Sequence, residues 1–395
     1  MRRYAFEAVI VHMLWVALVF AFSDGWNLPF LTWLEGFYQW DARWYGTIAN
    51  DGHGFLAQTY VFPPFYGWCL GRLTDALHFI LNLFGANLNW PEALYLTAFL
   101  FGIAMFTFAN TLFVFFSEKR WNLARPRLWA IAISNPVGYF ALTAYSDMFF
   151  FAIFLVAMLF VLWTSPRREA WKLPLLSARN HLAIRASLTS LLFVAPWIRL
   201  TGFAFAAWAL LKRREVAATF ISLAAFLTYY WIRTDDPLFF LLAQQVFQMP
   251  EGGFLEGLST SLGIVGHLLR GDIPETTDVR LYTLNFGVLP IFCLGTSLGF
   301  AAWLAKKREF EWALVVLAMT AVSHNQAFWR STVRYTLPFF PMFYWMLLAK
   351  TPRTTALSSR LKGLALQAGL GIAIGLSLML QLFYVRLFRV GGWAF

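Results

Sequence analysis

Between Glu92 and Glu118 the chain carries no charged residue. A helix needs roughly 20 consecutive apolar residues to cross the hydrocarbon core of a bilayer, and this run exceeds that length. A helix that is apolar on every side has no wet face, so it must lie in a large core or in a membrane. Comparable runs occupy 5–22, 128–144, 147–163, 216–234, 284–305, 310–326, 334–349 and 363–384. A water-soluble domain carries about a quarter charged residues, whereas this 395-residue chain has 13% charged and 59% hydrophobic residues. These features exclude a soluble enzyme, a disordered chain and a disulfide scaffold. Cys69 and Cys293 both sit in apolar stretches, which gives no disulfide framework to read. The expected fold is an all-α polytopic membrane protein with about 9–12 transmembrane helices.

The formal charge of +11 would suggest nucleic acid as the partner of a soluble protein, but the basic residues are not spread evenly. Of the 31 basic residues, 21 gather at Arg2 and Arg3 and in five short polar gaps. These hold Lys119, Arg120, Arg125 and Arg127; Arg167, Arg168, Lys172, Arg179 and Arg185; Lys212 to Arg214; Lys306 to Arg308; and Lys350, Arg353, Arg360 and Lys362. The positive-inside rule marks such gaps as cytoplasmic. The connections 23–61 and 235–283 are acidic and go to the outer face. No small-residue cleavage site follows 5–22, so that run is expected to be an uncleaved first span.

Two apolar segments do not fit as simple spans. Residues 62–84 carry Arg72, Asp75 and His78, and a full crossing would put the 118–127 gap outside. They are expected to form an interfacial or re-entrant helix, so that 23–84 makes a first outer loop with interfacial helices. Residues 184–211 lie between two basic gaps and are broken by Pro196 and Gly202, which suggests two short half-helices meeting near Arg199. No internal repeat is visible. The expectation is a single integral domain over 1–395, with 235–283 as the second large outer loop.

The polar clusters that remain fall at the outer ends of spans. In the segment from Tyr38 to Gly52, helical periodicity puts Trp40, Trp44 and Ile48 on one stripe, with Asp41 and Tyr45 beside it and Arg43 pointing away. A carboxylate on such a face is costly unless paired or used. Asp41 is therefore either a capping or ion-paired residue or a general base at the membrane surface. Ser134-Asn135-Pro136 and Thr143-Ala144-Tyr145-Ser146-Asp147 form a second cluster, in which Asp147 suits a helix N-cap as well as a ligand contact. Arg199, flanked by helix breakers, marks either a structural ion pair or a site. Asp235-Asp236-Pro237, followed by Gln244, reads as a helix stop and restart. His324 opens a stretch in which Arg330 and Arg334 are four apart and share a helical face. A guanidinium fork can hold phosphate with two charge-assisted bonds, and a snorkelling interfacial arginine is the alternative. The chain has no P-loop, no dinucleotide fingerprint, no HExxH helix and no recognisable zinc spacing.

Taken in order, these blocks resemble a known family. Trp40-Asp41-Ala42-Arg43-Trp44-Tyr45 with Ile48-Ala49, Gly52 and Phe62-Pro63 resembles the start of the PIG-V-like mannosyltransferases, the GPI mannosyltransferase 2 family. So do Asn135-Pro136 and Tyr145-Ser146-Asp147, Arg199 with Gly202, Asp236-Pro237 with Phe240 and Gln244, and Arg334-Tyr335 with Pro338 and Pro341. The resemblance implies a bundle of the GT-C glycosyltransferase type. It also implies transfer of a sugar, expected to be mannose, from a polyprenyl- or dolichyl-phosphate donor to a glycan, glycolipid or protein hydroxyl, with inversion. The reaction would lie on the periplasmic, extracellular or lumenal side of a bacterial plasma membrane or an ER membrane. The family's acidic residue falls on Asp41, the implied general base. Arg199, Arg330, Arg334, Tyr45, Tyr145, Asp147, Gln244 and His324 are the candidate substrate contacts. No cofactor or metal ligand is expected, although a divalent metal is left open. Pro64-Phe65-Tyr66-Gly67 departs from the family pattern, so the acceptor stays undefined. A transporter or flippase for an anionic lipid or sugar phosphate is the alternative, since broken helices around Arg199 would suit one.

Overall fold

The computed structural model describes residues 2–121, 124–164, 178–211, 214–243, 253–271, 283–324, 334 and 357–389. Among them the regular structure is helical, with no strand. Six helices are long and apolar enough to cross a membrane: Arg3–Phe22, Trp90–Lys119, Asn180–Ile198, Arg214–Thr234, Phe286–Lys306 and Gln367–Arg389. Two shorter apolar helices, Asp147–Val161 and Phe310–His324, accompany them. The protein is an all-α polytopic membrane protein. Its outward surface shows the same thing, with Phe6, Met13, Leu14, Ile232 and Met379 all more than 60% exposed. Side chains of this kind are stable facing lipid and costly facing water. The expected span at 334–349 lies, apart from Arg334, outside the described residues.

The chain divides into two compact units. The first comprises Met1–Gly46, Cys69–Leu188 and Phe340–Trp393, and the second Thr47–Trp68, Thr189–Phe339 and Ala394–Phe395. In the first, α1 (Arg2–Phe22) and α5 (Trp90–Trp121) pack together, with the short α2 (Phe30–Glu35) and α6 (Arg125–Ile133) also against α5. α7 (Asp147–Thr164) covers another side of α5, and α14 (Leu357–Arg389) packs on α1. α5 is the most enclosed of the spans, with 56% of its apolar window buried against 22% for Arg3–Phe22. Helices packed in lipid gain most where small residues let backbones approach. Gly102 of α5 does this: a Cβ there would collide with the carbonyl oxygen of Ala141.

Two expectations need correction. Residues 128–144 do not form one span. α6 ends at Ile133, and after Ser134-Asn135-Pro136 the backbone resumes as a 3₁₀ turn, Gly138–Leu142. The physical reason is Pro136, which has no N–H to continue the helix and biases the preceding residue away from it. Nor are there two short half-helices around Arg199. α8 (Ala178–Ile198) tolerates Pro196 inside it and is long enough to cross; a 3₁₀ segment, Leu200–Leu211, follows the break. The span expected at 284–305 is present as Phe286–Lys306, with one π-helical turn, Leu284–Val288, before α12 (Leu289–Lys306). Residues 62–84 do give a helix, α4 (Pro64–Leu83), which is not among the six helices apolar enough to cross.

In the second unit α12 packs against α13 (Phe310–His324), which in turn covers the 3₁₀ segment after Arg199. α9 (Ala217–Thr234) also contacts that segment. α9 stops where the sequence says it should: Asp235 adopts a left-handed conformation at φ 58° as its C-cap. The Asp236 Oδ1 then accepts the Leu238 N–H at 2.8 Å, which launches the short α10 (Phe239–Leu242). α11 (Phe254–Arg270) completes the unit against the π turn and α12.

One side chain fastens the break in the first unit. Gln381 of α14 donates from Nε2 to the Asn135 carbonyl at 2.7 Å and accepts at Oε1 from the Trp15 indole N–H at 2.9 Å. Replacing Gln381 with Leu leaves the buried Trp15 indole N–H without this partner and the Asn135 carbonyl with the Gly138 N–H alone. The expected cost is about 1–3 kcal/mol. Thermal unfolding of the Gln381→Leu variant in detergent checks this, and an unchanged midpoint would show that the two bonds do not hold the break.

Candidate functional site

α3 (Asp41–Asp51) begins with the carboxylate singled out in the sequence. Trp40 precedes it in the left-handed region, φ 52°, so the helix starts one residue later than the aromatic run. The buried stripe accordingly consists of Ala42, Tyr45 and Ile48, while Trp40 is 41% exposed. This corrects the expected Trp40–Trp44–Ile48 stripe, because Trp40 is not on the helix. Arg43 points away as expected, bonding Gln39 Oε1 at 2.9 Å on the exposed side.

Two hydrogen bonds hold this helix to the start of α7. The Asp41 backbone N–H donates to the Tyr145 hydroxyl at 3.2 Å, and the Tyr45 and Ser146 hydroxyls share a bond of 2.9 Å. Asp41 is half-buried, whereas Tyr45, Tyr145, Ser146 and Asp147 are buried. Asp41 and Asp147 thus each occupy the first turn of a helix, where unpaired N–H groups favour negative charge. Gly46 allows the close fit, because a Cβ there would overlap the Tyr38 hydroxyl. The Tyr145 ring packs on Phe140 at 4.7 Å and on Phe388 of α14 at 5.9 Å between centroids. The first unit therefore brings Asp41, Tyr45, Tyr145 and Asp147 together. Chemically, this grouping offers a carboxylate able to accept a proton, with hydroxyl groups beside it.

Other candidates belong to the second unit. Arg199 is buried at 7% exposure, its backbone N–H bonded to Ala195 O at 3.0 Å. Gly202, whose N–H bonds Arg199 O at 2.8 Å, leaves no room for a Cβ against the Ala195 backbone. His324 is fully buried at the end of α13, with Nδ1 within hydrogen-bond reach of Thr320 O and Ser323 Oγ at 2.9 Å each. Arg334 is buried at 8% exposure. Gln244 and Arg330 lie outside the described residues.

The second unit also contains a group that the sequence reading missed. His53 sits between Gly52 and Gly54, which take φ 91° and 94°. Its Nε2 faces the Phe62 carbonyl at 3.0 Å, which assigns the proton to Nε2, so Nδ1 accepts from the Tyr229 hydroxyl at 2.7 Å. Arg233 Nη2 donates to His53 O at 2.8 Å, and the Tyr230 hydroxyl to Tyr60 O at 2.7 Å. Residues 52–62 are thus strapped to the end of α9. The signal for this was a histidine between two glycines, which shows a tight turn but not its partners.

The chain matches no family model, and no curated protein sequence matches it.

Burial, only partly offset by bonding to the Phe62 and Thr59 backbone, lowers the His53 pKa from 6.5 to about 4. The folded protein therefore keeps His53 neutral at pH values where the unfolded chain binds a proton. Stability from this group is complete above about pH 6.5 and is lost as pH falls toward 4, by up to about 3 kcal/mol. The melting temperature should drop through this window, and the His53→Gln variant should show a flatter profile there. A variant profile as steep as that of the unaltered protein would remove His53 as the cause.

Proposed function

We propose that this protein is a membrane glycosyltransferase of the PIG-V-like, GT-C type. It moves a sugar, mannose by the resemblance, from a polyprenyl- or dolichyl-phosphate donor to an acceptor hydroxyl at the non-cytoplasmic face. The observation that carries the reading is the half-buried Asp41 carboxylate, at a helix start fixed by the Tyr145 hydroxyl and flanked by Tyr45, Ser146 and Asp147. A catalytic base must be held in place yet remain reachable by substrate, and Asp41 meets both conditions. The order of the short sequence blocks across residues 35–345 adds to it, as does the membrane architecture.

In this reaction the acceptor oxygen attacks the anomeric carbon while the bond from that carbon to the phosphate oxygen breaks. The hydroxyl proton passes to Asp41, and the lipid phosphate leaves with the bonding electrons. Attack from the face opposite the leaving group inverts the configuration. The departing phosphate is a good leaving group by itself, so one carboxylate suffices. The negative charge growing on it calls for preorganised cationic donors. Tyr45, Tyr145 and Asp147 would contact sugar hydroxyls.

The test is transfer from radiolabelled polyprenyl-phosphate mannose to lipid acceptors by the purified protein. Asp41→Asn should lower turnover by about 100-fold or more while leaving donor affinity near its original value. Turnover at the unaltered rate in that variant would remove Asp41 from the mechanism, and no transfer by the unaltered protein to any acceptor would overturn the enzyme itself.

A further inference from the structure

Helix α14 ends in two arginines, Arg386 and Arg389, three residues apart. Both approach the same oxygen of Asp24, just beyond the end of α1: Arg389 Nη2 lies 3.3 Å from Oδ2 and Arg386 Nε 3.9 Å. Charge-assisted N–H···O bonds close to about 2.7–2.9 Å, so neither contact is a fork seated on a carboxylate. The Arg389 side chain is only 13% exposed, and its Nε is buried with no hydrogen-bond partner among the described residues. Asp24 is 45% exposed and Arg386 69%. Among the described residues, two guanidinium groups with five N–H donors each thus share one carboxylate, which leaves one positive charge and most of the donors in excess.

Their location sharpens the point. The pair sits at the end of α1 away from Arg3 and Arg125, where the positive-inside rule leads us to expect few cations. The dipole at the C-terminus of α14 favours a cation there but does not occupy its N–H groups. The Arg389 stem lies against Gly36, where a Cβ would collide with its Cγ. The neighbouring Phe388 packs on Tyr145, whose hydroxyl takes the Asp41 N–H. The arginines therefore belong to the same unit as Asp41, joined to it through the rings of Phe388 and Tyr145.

We propose that Arg386 and Arg389 form a phosphate site for a lipid headgroup, with Asp24 as the internal carboxylate that the phosphate displaces. Identifying the lipid as the sugar donor rests on the glycosyltransferase reading; the phosphate site itself does not.

The full-length protein in phosphatidylcholine nanodiscs is titrated with radiolabelled polyprenyl phosphate, and binding is read directly. The Arg386→Gln/Arg389→Gln variant should bind about tenfold or more weakly, the scale of losing charge-assisted bonds. Arg389→Lys, which keeps charge and loses the fork, should bind less weakly than that. Asp24→Asn should bind more tightly, because it removes the competing anion. Unchanged affinity in a double variant that melts at the original temperature overturns the site. Weakened binding in Asp24→Asn also overturns it, since the three residues would then be a structural clamp. Displacement of polyprenyl phosphate by phosphatidylglycerol at equal lipid fraction would assign the site to bilayer phosphodiesters, and resistance to displacement would assign it to the isoprenoid phosphate. Either supports the phosphate chemistry. Arginine-dependent binding without any sugar transfer would fail the enzyme reading alone, whereas Asp41-dependent transfer with arginine-independent binding would fail this site alone.

Discussion

In the hydrocarbon of a bilayer there is no water to satisfy a broken helix, so every interrupted backbone group must find a partner inside the protein. In the first unit that demand falls on the Gln381 amide. The α6 helix stops before Asn135-Pro136, and the Asn135 carbonyl, which would otherwise continue a helical ladder, accepts the Gly138 N–H at 2.8 Å and Gln381 Nε2 at 2.7 Å. The other end of the amide accepts the Trp15 N–H. One polar side chain thus ties the first and last helices of the unit to the break. Gly138 lets it come close, since a Cβ there would meet Gln381 Nε2. The consequence reaches the site. Because the chain turns through a 3₁₀ segment at Gly138–Leu142, Tyr145 and Ser146 arrive at the start of α7 facing α3. A continuous helix through 128–144 would have pointed these residues elsewhere.

Most of the spans were legible in the sequence, because apolar length is a local property and the bilayer sets the length required. The stop at Asp235-Asp236-Pro237 was legible for the same reason: left-handed caps and side-chain turns form from neighbouring residues. Pairings across the chain were not. Gln381 reaches Asn135 over 246 positions and Trp15 over 366, and His53 reaches Tyr229 over 176. A glutamine in an apolar run announces that it needs partners without saying which. At Asp41 the residue was readable, but the register was displaced, because Trp40 takes a positive φ and leaves the helix. Helical periodicity cannot detect a start that depends on one backbone conformation.

The two buried polar clusters nearest the first loop differ in what they leave available. Both ring nitrogens of His53 are committed, one to Phe62 and one to Tyr229, and burial opposes its protonation. An imidazole in that state orders a loop but is a poor proton carrier. At Asp41 it is the backbone N–H that is fixed by Tyr145, and the carboxylate remains half-exposed. The bonds of His53 give the histidine the role of a strap for the 52–62 segment.

Charge balance within the first unit points the same way. At the start of α1, Arg3 and Arg125 meet two carboxylates, Glu7 and Glu118, with Tyr4 and Trp129 donating to those same carboxylates. Arg3 and Arg125 are each paired there, as expected of a cluster that fastens α1, α5 and α6. Past the other end of α1, among the described residues, two arginines share a single carboxylate at long contacts, and one guanidinium nitrogen is buried without a partner. A fold that needed only fastening at that end would gain more from a second carboxylate than from a second arginine. Unmatched guanidinium groups in partial burial carry a desolvation cost. That cost is offset once an anion occupies the remaining donors, which is the condition a phosphate headgroup meets.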